Sequence, residues 1–467
     1  MSIDIKYTGT QIRWPELAIT GKQSVWFPGQ EEERSDSEAA LLLATGLFER
    51  SASSQSPVSG GGLTSRIGGA AVGKNGTGAV LSGAISTAWT GAQAWRIPHD
   101  IAAFRVGFEN LYTAGQLPDV AGVRYAVVGA SGNTGAQALD AMATYPSGSL
   151  VDITFDGSLA FTPKRCPGAN RPSPITWSDY MSVSGADEGK TLAARMFVPL
   201  GGSWNYTYHS LLFGTYSQYL SQVTNPVGGW QSNTDLFTGN PAWSLLSSNA
   251  TANLVIPYIE WIAKSSAKKV LCVAHFSDSL GTGFTTDGST APSVTPVARA
   301  CQSLSTADIR LVPMVGAFGG RTTEQNFRRF VQYMQDAKTP PNIVVWQVTS
   351  QNSATSTSNV QATEGYIRAV QQICTQAGAV LVLQTGAPIN GNSINADNAR
   401  KAINTLVRAM GLPVIDTAAT WGNGASPEAY AAAYGTAAHP ALIGYDDDMP
   451  QWLAAIRLAV TQFGLTV

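Results

Sequence analysis

The chain has 467 residues, 44% of them hydrophobic, enough for about two to four domains with sizeable cores. Only 13% are charged, about half the usual share, so the polar surface falls mostly to Ser, Thr, Asn, Gln and Gly. A net charge of −2, with no Lys/Arg cluster interleaved with aromatics, excludes a nucleic-acid binder that works by a basic field, and no apolar run approaches the ~18 residues of a membrane span.

Residues 1–50 are expected to form a small α+β docking module. Ile3–Tyr7 alternates like a strand, Ser24–Gly29 ends in a Pro-Gly turn, and Ser35-Asp36-Ser37-Glu38 is a capping box ahead of a short helix over Ala39–Phe48. A module this small buries little surface alone, so it should dock on a partner or on copies of itself. The opening MSIDIKYTGTQIRWPEL has no basic start followed by an apolar run, so no signal peptide is expected and the chain should be made as a soluble cytosolic protein. Residues 51–94 are Gly/Ser-rich and are expected to form a linker or extended arm.

Residues 95–265 carry strand-like runs (WRIPHDIAAFRVGFEN, GVRYAVVGA, LVDITFDGSLAFT, TLAARMFVPL) separated by Gly, Pro, Asn and Asp, for which a β-sandwich is the natural packing. Its later aromatics, Trp204, Tyr206, Tyr208, Trp230 and Trp243, suit a core and its rim; the functional alternative is a sugar-stacking surface.

In residues 266–467 the period changes. Strands over KKVLCVAHF, Asp308–Val315, Asn342–Val348, Ala379–Gln384 and Pro413–Asp416 alternate with helices over Val294–Leu304, Thr323–Ala337, Val360–Gln376, Asn395–Met410 and Met449–Phe463. Such a series predicts a parallel sheet covered on both faces, with its active site beyond the carboxyl ends of the strands. Cys166, Cys272, Cys301 and Cys374 lie too far apart for a metal site or a disulfide framework, and no phosphate-binding glycine motif is present.

The candidate chemistry falls at those strand ends. Ser279 follows the first strand directly, and a serine needs a base to act as a nucleophile. Of the four histidines, His99 and His209 lie in the β-rich region and His275 points from the strand itself. His439, in the loop before the last helix, remains as the base. Gly319 after the second strand and Asn352 after the third can supply oxyanion donors, a backbone N–H and a side-chain amide.

Ser, Gly, Asn and His, in that order at successive strand ends, resemble the four blocks of the SGNH (GDSL) hydrolase superfamily, over residues 268–465. Ser277-Asp278-Ser279 resembles the first block and His439-Pro440 the last, while the third block keeps only Asn352 within Ser350-Gln351-Asn352-Ser353. The resemblance implies a three-layer α/β/α, flavodoxin-like parallel sheet. It also implies Ser279 as nucleophile, His439 as base, and an oxyanion hole from Ser279, Gly319 and Asn352. No metal or cofactor is implied. Upstream, RVGFEN, DITFDG and TYHSLLFGTY are similar to the β-sandwich that precedes the hydrolase in some bacterial SGNH esterases.

Thr436 stands where the family's acid stands. Three alternatives follow. His439 works in a dyad, oriented by a backbone carbonyl or by Thr436; an acid comes from elsewhere, with Asp446, Asp447 and Asp448 nearest in sequence; or the site has decayed and only binds. The plainer reading of the Asp triplet is a solvated acidic cap on the last helix.

The first 50 residues resemble short modules of tailed-bacteriophage structural proteins. With the hydrolase resemblance, this implies a virion-associated esterase. It would remove O-acetyl or similar acyl groups from host surface polysaccharide and dock on other phage structural proteins through residues 1–50. It would neither bind nucleic acid nor insert in a membrane, and would form a symmetric homo-oligomer, with a trimer one option. The alternative is a decayed SGNH scaffold serving as a structural or glycan-binding virion protein.

Overall fold

The computed structural model describes residues 97–109, 122–128, 151–164, 172–198, 258–264, 268–281, 283, 295–317, 320–337, 339–353, 360–435 and 439–467, and the backbone of further strands outside these ranges. Residues 1–63 with 333–338 form one compact unit, and residues 64–332 with 339–467 another. In the first, Ser2–Tyr7 lies between Glu31–Ser35 and Phe48–Arg50 in an antiparallel sheet. The helix expected over Ala39–Phe48 lies outside the described residues, except Phe48, which opens a strand.

The second unit begins with two antiparallel sheets. One runs in the order Val151–Ile153, Gly122–Val128, Thr191–Val198, Trp89–Arg96, Pro226–Ser232. The other runs Thr176–Trp177, Ile101–Phe108, Tyr258–Ala263, Arg66–Ala70. Phe104 from the second sheet meets Tyr125 from the first edge-to-face, ring centroids 4.7 Å apart, and both are buried. The stretch 51–94, expected as a linker or arm, contributes Arg66–Ala70, Val80–Ala84 and the start of Trp89–Arg96 to sheets. Ladder bonds come from backbone N–H and C=O groups, which glycine and serine carry like any residue. The aromatic side chains between Trp204 and Trp243 lie outside the described residues.

The chain then builds a parallel sheet from β1 (Lys269–Phe276), β2 (Ile309–Val315), β3 (Ile343–Gln347), β4 (Val380–Gln384) and β5 (Val414–Ile415), in the order β2-β1-β3-β4-β5. β1 and β3 are buried almost end to end, as central strands covered on both faces must be. Strand alternation shows the two covers. Phe276 packs edge-on against Phe330 of helix α2 (Thr323–Asp336), at 5.1 Å, while its neighbour His275 meets Trp452 of the last helix at 4.9 Å. The chain order reverses between β1 and β3, so a crevice opens at their carboxyl ends. Among the described residues no helix is long and apolar enough to cross a membrane.

The expected helices are present: α1 (Pro296–Leu304), α2, α3 (Val360–Gln376) and α4 (Ile394–Ala409), the last capped by Ser393, whose Oγ accepts the Ala396 N–H. A short helix α5 (Thr417–Trp421) was not anticipated; Asp416 caps it by accepting the Ala419 N–H. The last helix, α6, runs Leu442–Thr461 rather than starting at Met449, and holds Pro450 inside. A proline lacks only one donor, and the tertiary contacts of Tyr445, Asp448 and Trp452 hold the turn before it in place. The Asp triplet therefore lies within α6, and Asp448 is buried rather than forming part of a solvated cap.

Asp448 ends a buried polar chain. His275 Nε2 lies 2.9 Å from Gln384 Oε1, Gln384 Nε2 donates to Thr417 Oγ1, and Thr417 Oγ1 and Trp452 Nε1 both donate to Asp448 Oδ2. Burial raises the Asp448 carboxyl from about 3.8 to about 6 and lowers His275 to about 4, so both favour their neutral forms. Because the folded carboxyl holds its proton more tightly than the unfolded one, its contribution to stability is full below about pH 3.8 and is lost as pH rises through about 6. Urea unfolding of Asp448→Asn should therefore show a flatter fall in stability between pH 4 and 7 than the parent, by up to about 3 kcal/mol. Parallel curves would show that folding does not raise the Asp448 carboxyl.

Candidate active site

β1 ends at Phe276, and the chain turns through Ser277, Asp278, Ser279 and Leu280 to Gly281, all buried. A Cβ at Gly281 would lie 1.7 Å from Ser277 Oγ, 2.6 Å from His275 Cε1 and 2.8 Å from the Ala317 Cβ. Only glycine lets this turn close against β1 and the end of β2.

Asp278 fixes the turn. Its Oδ1 accepts the Leu280 N–H at 3.0 Å, and its Oδ2 accepts Ser350 Oγ at 2.8 Å and the Gln351 N–H at 2.9 Å. Its own N–H donates to Gln347 Oε1 at the end of β3. Burial pushes the carboxyl above the usual range, and these donors pull the other way. The turn after β1 is thus tied at several points to the turn after β3.

This arrangement sets Ser279 at the mouth of the crevice, where His439 Nε2 lies 2.7 Å from Ser279 Oγ. The two residues are 160 positions apart in the chain and belong to separate loops. The distance and the atoms are those of a nucleophile with its base. Burial lowers the His439 imidazole from 6.5 to about 4, so it is neutral, and able to accept a proton, through the whole neutral range.

The remaining predicted residues are placed as follows. Asn352 sits in a short 3₁₀ turn (Gln351–Ser353) after β3, exposed, with its Nδ2 donating to the Arg321 carbonyl at 3.2 Å and to Ser350 Oγ at 3.3 Å. Gly319 and Thr436 lie outside the described residues. The three aspartates have partners of their own. Asp446 pairs with Arg299 at 2.6 Å, Asp447 accepts from Tyr434 OH at 2.9 Å, and Asp448 belongs to the buried chain above. His99 is buried, with Nδ1 at 3.1 Å from the Asp100 carbonyl, and Cys272, Cys301 and Cys374 are buried and not disulfide-bonded. Among the described residues no group of His, Cys, Asp and Glu is arranged to hold a metal.

Sequence reasoning did not anticipate the part played by Ser350 and Gln351. They read as departures from a third-block pattern, yet they anchor Asp278, and Gln351 also donates to Tyr430 OH. A cavity of about 270 Å³ lies beside this turn, lined among others by Gln351, Asn352, Tyr366, Ile389, Arg400 and Ile403. Its mixed walls suit a ligand with both hydroxyl groups and an apolar face.

No family model matches the chain, and no curated protein does. Among solved structures the chain is similar to an acetylxylan esterase from Geobacillus stearothermophilus, at 17% identity and a TM-score of 0.31, over 40% of this chain and 94% of that one. It is also similar to the lipase/acylhydrolase from Enterococcus faecalis, at 15% identity and a TM-score of 0.30, over 41% and 96%. A member of the lipolytic G-D-S-L family from Veillonella parvula matches at 11% identity and a TM-score of 0.30, over 39% and 96%.

The Gly281 geometry yields a direct test. Gly281→Ala should force the turn away from Ser277 and Ala317 and lower stability in urea unfolding by about 1–3 kcal/mol. An unchanged unfolding midpoint would show that the turn has room to spare.

Proposed function

We propose that this chain is a serine ester hydrolase of the SGNH type, acting on acyl groups, acetyl foremost, of a bacterial surface polysaccharide. The observation that carries the reading is the 2.7 Å approach of His439 Nε2 to Ser279 Oγ at the switch point of a parallel sheet. As Ser279 Oγ attacks the ester carbonyl carbon, its proton passes to His439 Nε2 and the carbonyl oxygen becomes an oxyanion. The tetrahedral intermediate collapses, His439 returns the proton to the departing sugar oxygen, and the acyl group stays on Ser279. Water then attacks the acyl-enzyme by the same route in reverse, releasing the acid. These steps use side chains, backbone donors and water alone.

In this reading Ser279 and Gly319 offer backbone N–H groups to the oxyanion, and Asn352 turns its amide from the Arg321 carbonyl towards it when substrate is bound. The cavity beside Asn352 receives the sugar ring. The two upstream antiparallel sheets form a β-sandwich, and residues 1–50 dock the chain on other structural proteins of a phage particle as part of a homo-oligomer. The basis for the particle is the resemblance of the first 50 residues. In this reading the particle carries the enzyme to the host surface.

A second reading, a glycan-binding scaffold without turnover, is favoured by one observation: the Asn352 amide is directed at the protein's own Arg321 carbonyl and Ser350 hydroxyl. Hydrolysis of p-nitrophenyl acetate separates the two. Ser279→Ala should lower kcat/KM at least about a thousandfold relative to the parent; equal rates would sink the hydrolase reading and leave the scaffold.

The pH profile reports on the base. A protonated His439 cannot accept the serine proton, so the acid limb of kcat/KM should fall near pH 4, where burial places the imidazole, and not near 6.5. A limb near 6.5 or above would instead indicate a carboxylate paired with His439.

A further inference from the structure

A buried ion pair connects the upstream sheets to the candidate site. Glu109 closes the strand Ile101–Phe108, Tyr258 opens the strand Tyr258–Ala263, and Arg329 lies on α2. The Arg329 and Glu109 side chains are each 1% exposed. Arg329 Nε and Nη2 donate to Glu109 Oε2 at 3.3 and 3.2 Å, and Tyr258 OH donates to the same oxygen at 2.6 Å. Arg329 Nη2 also donates to Tyr258 OH at 2.9 Å, and Nη1 donates to the Gly316 carbonyl at 2.8 Å.

Gly316 is the first residue beyond β2, on the stretch that leads to Gly319. A Cβ there would lie 2.8 Å from the Phe276 ring, so the backbone lies close against the end of β1. The next residue, Ala317, is buried, and its Cβ backs directly on Gly281 of the nucleophile turn. Because a peptide unit is planar, fixing the Gly316 oxygen also fixes the direction of the Ala317 N–H. A guanidinium suits this task, since its rigid fork can hold a carboxylate on one side and a carbonyl on another.

We propose that Arg329, clamped by Glu109 and Tyr258, is a positioning residue: it holds the end of β2 against the Ser279 turn, so the upstream sheets are part of the catalytic apparatus and not a separable accessory. This rests on the hydrolase reading for its effect on rate, but not for its effect on the backbone. Lysine in place of Arg329 keeps the charge and loses the fork, so it cannot serve Glu109, Tyr258 and Gly316 together. Small displacements at a reacting centre are costly in rate.

The test uses the full chain and two variants, Arg329→Lys and Tyr258→Phe, the second removing only a hydroxyl should the first fail to fold. With p-nitrophenyl acetate, Arg329→Lys should lower kcat by about tenfold to a hundredfold with KM unchanged, and Tyr258→Phe should do so more weakly. The acid limb of the pH profile should stay where the parent has it, because His439 is untouched. Hydrogen exchange followed by mass spectrometry should rise in the peptide spanning 309–322 and in the one spanning 277–283. A parent without esterase activity would refute the hydrolase reading alone, and the exchange arm would still decide the positioning role. Unchanged exchange in both peptides, or kcat within about twofold of an active parent, overturns the proposal.

Discussion

The carboxylate of Asp278 is the constraint on which the site depends. It is fully buried and takes donors from its own turn and from the turn after β3. A buried carboxyl is costly unless its oxygens are satisfied, so the group holds its partners strongly. Because it joins the ends of β1 and β3, it bridges the switch point of the sheet, where two neighbouring connections leave in opposite directions. Ser279 is the next residue and has little freedom to be anywhere else. The close contacts at Gly281 act from the other side, pressing the turn against β1 and the end of β2.

The histidine that faces Ser279 is held differently. His439 comes from a loop near the end of the chain, half-buried, and burial makes its imidazole a weak base. In sites with a carboxylate behind the imidazole, the charge formed during proton transfer has a partner and the base is strengthened. Here the three aspartates that follow His439 have other work: Asp446 holds Arg299, Asp447 accepts from Tyr434, and Asp448 closes the polar chain under β4. The same helix that presents the loop therefore spends its acids on tertiary contacts. In the proposed hydrolase, a weak base that stays neutral at low pH would extend the working range at the expense of driving force for proton transfer.

Polar groups are buried on both faces of the parallel sheet. On the α6 face a chain of hydrogen-bonded polar groups runs from His275 through Gln384 and Thr417 to Asp448, whose carboxyl burial raises to about 6. On the α2 face Arg329 and Glu109 are an ion pair, whose separation would leave an uncompensated buried charge. Networks of this kind specify one arrangement of layers more sharply than apolar packing does, because each donor has few acceptors it can accept as substitutes. The arrangement suits a site whose two principal residues arrive from opposite ends of the domain.

Local pattern made the parallel sheet legible in the sequence. Largely apolar runs of five to eight residues, spaced by amphipathic stretches, mark strands and helices whatever lies beyond them, and β1 to β4 fall where those runs are, while β5 is a strand of two residues. Ser279 and His439 could be singled out because few residues at strand ends can do such chemistry. What the sequence could not determine is anything carried by contacts between distant segments. The Gly/Ser-rich stretch shows no side-chain period, yet its backbone pairs in sheets. Pro450 signals a helix start, yet packing carries α6 back to Leu442. Ser350 and Gln351 looked like losses from a pattern until folding placed Asp278 before them, and Glu109 and Arg329, 220 positions apart, carry no local signal that they meet. Residue types and periods are properties of the chain, so the sequence alone determines the elements and the candidate chemistry. Distance and burial are properties of the fold, and only tertiary structure decided which serine meets which histidine and what holds them there.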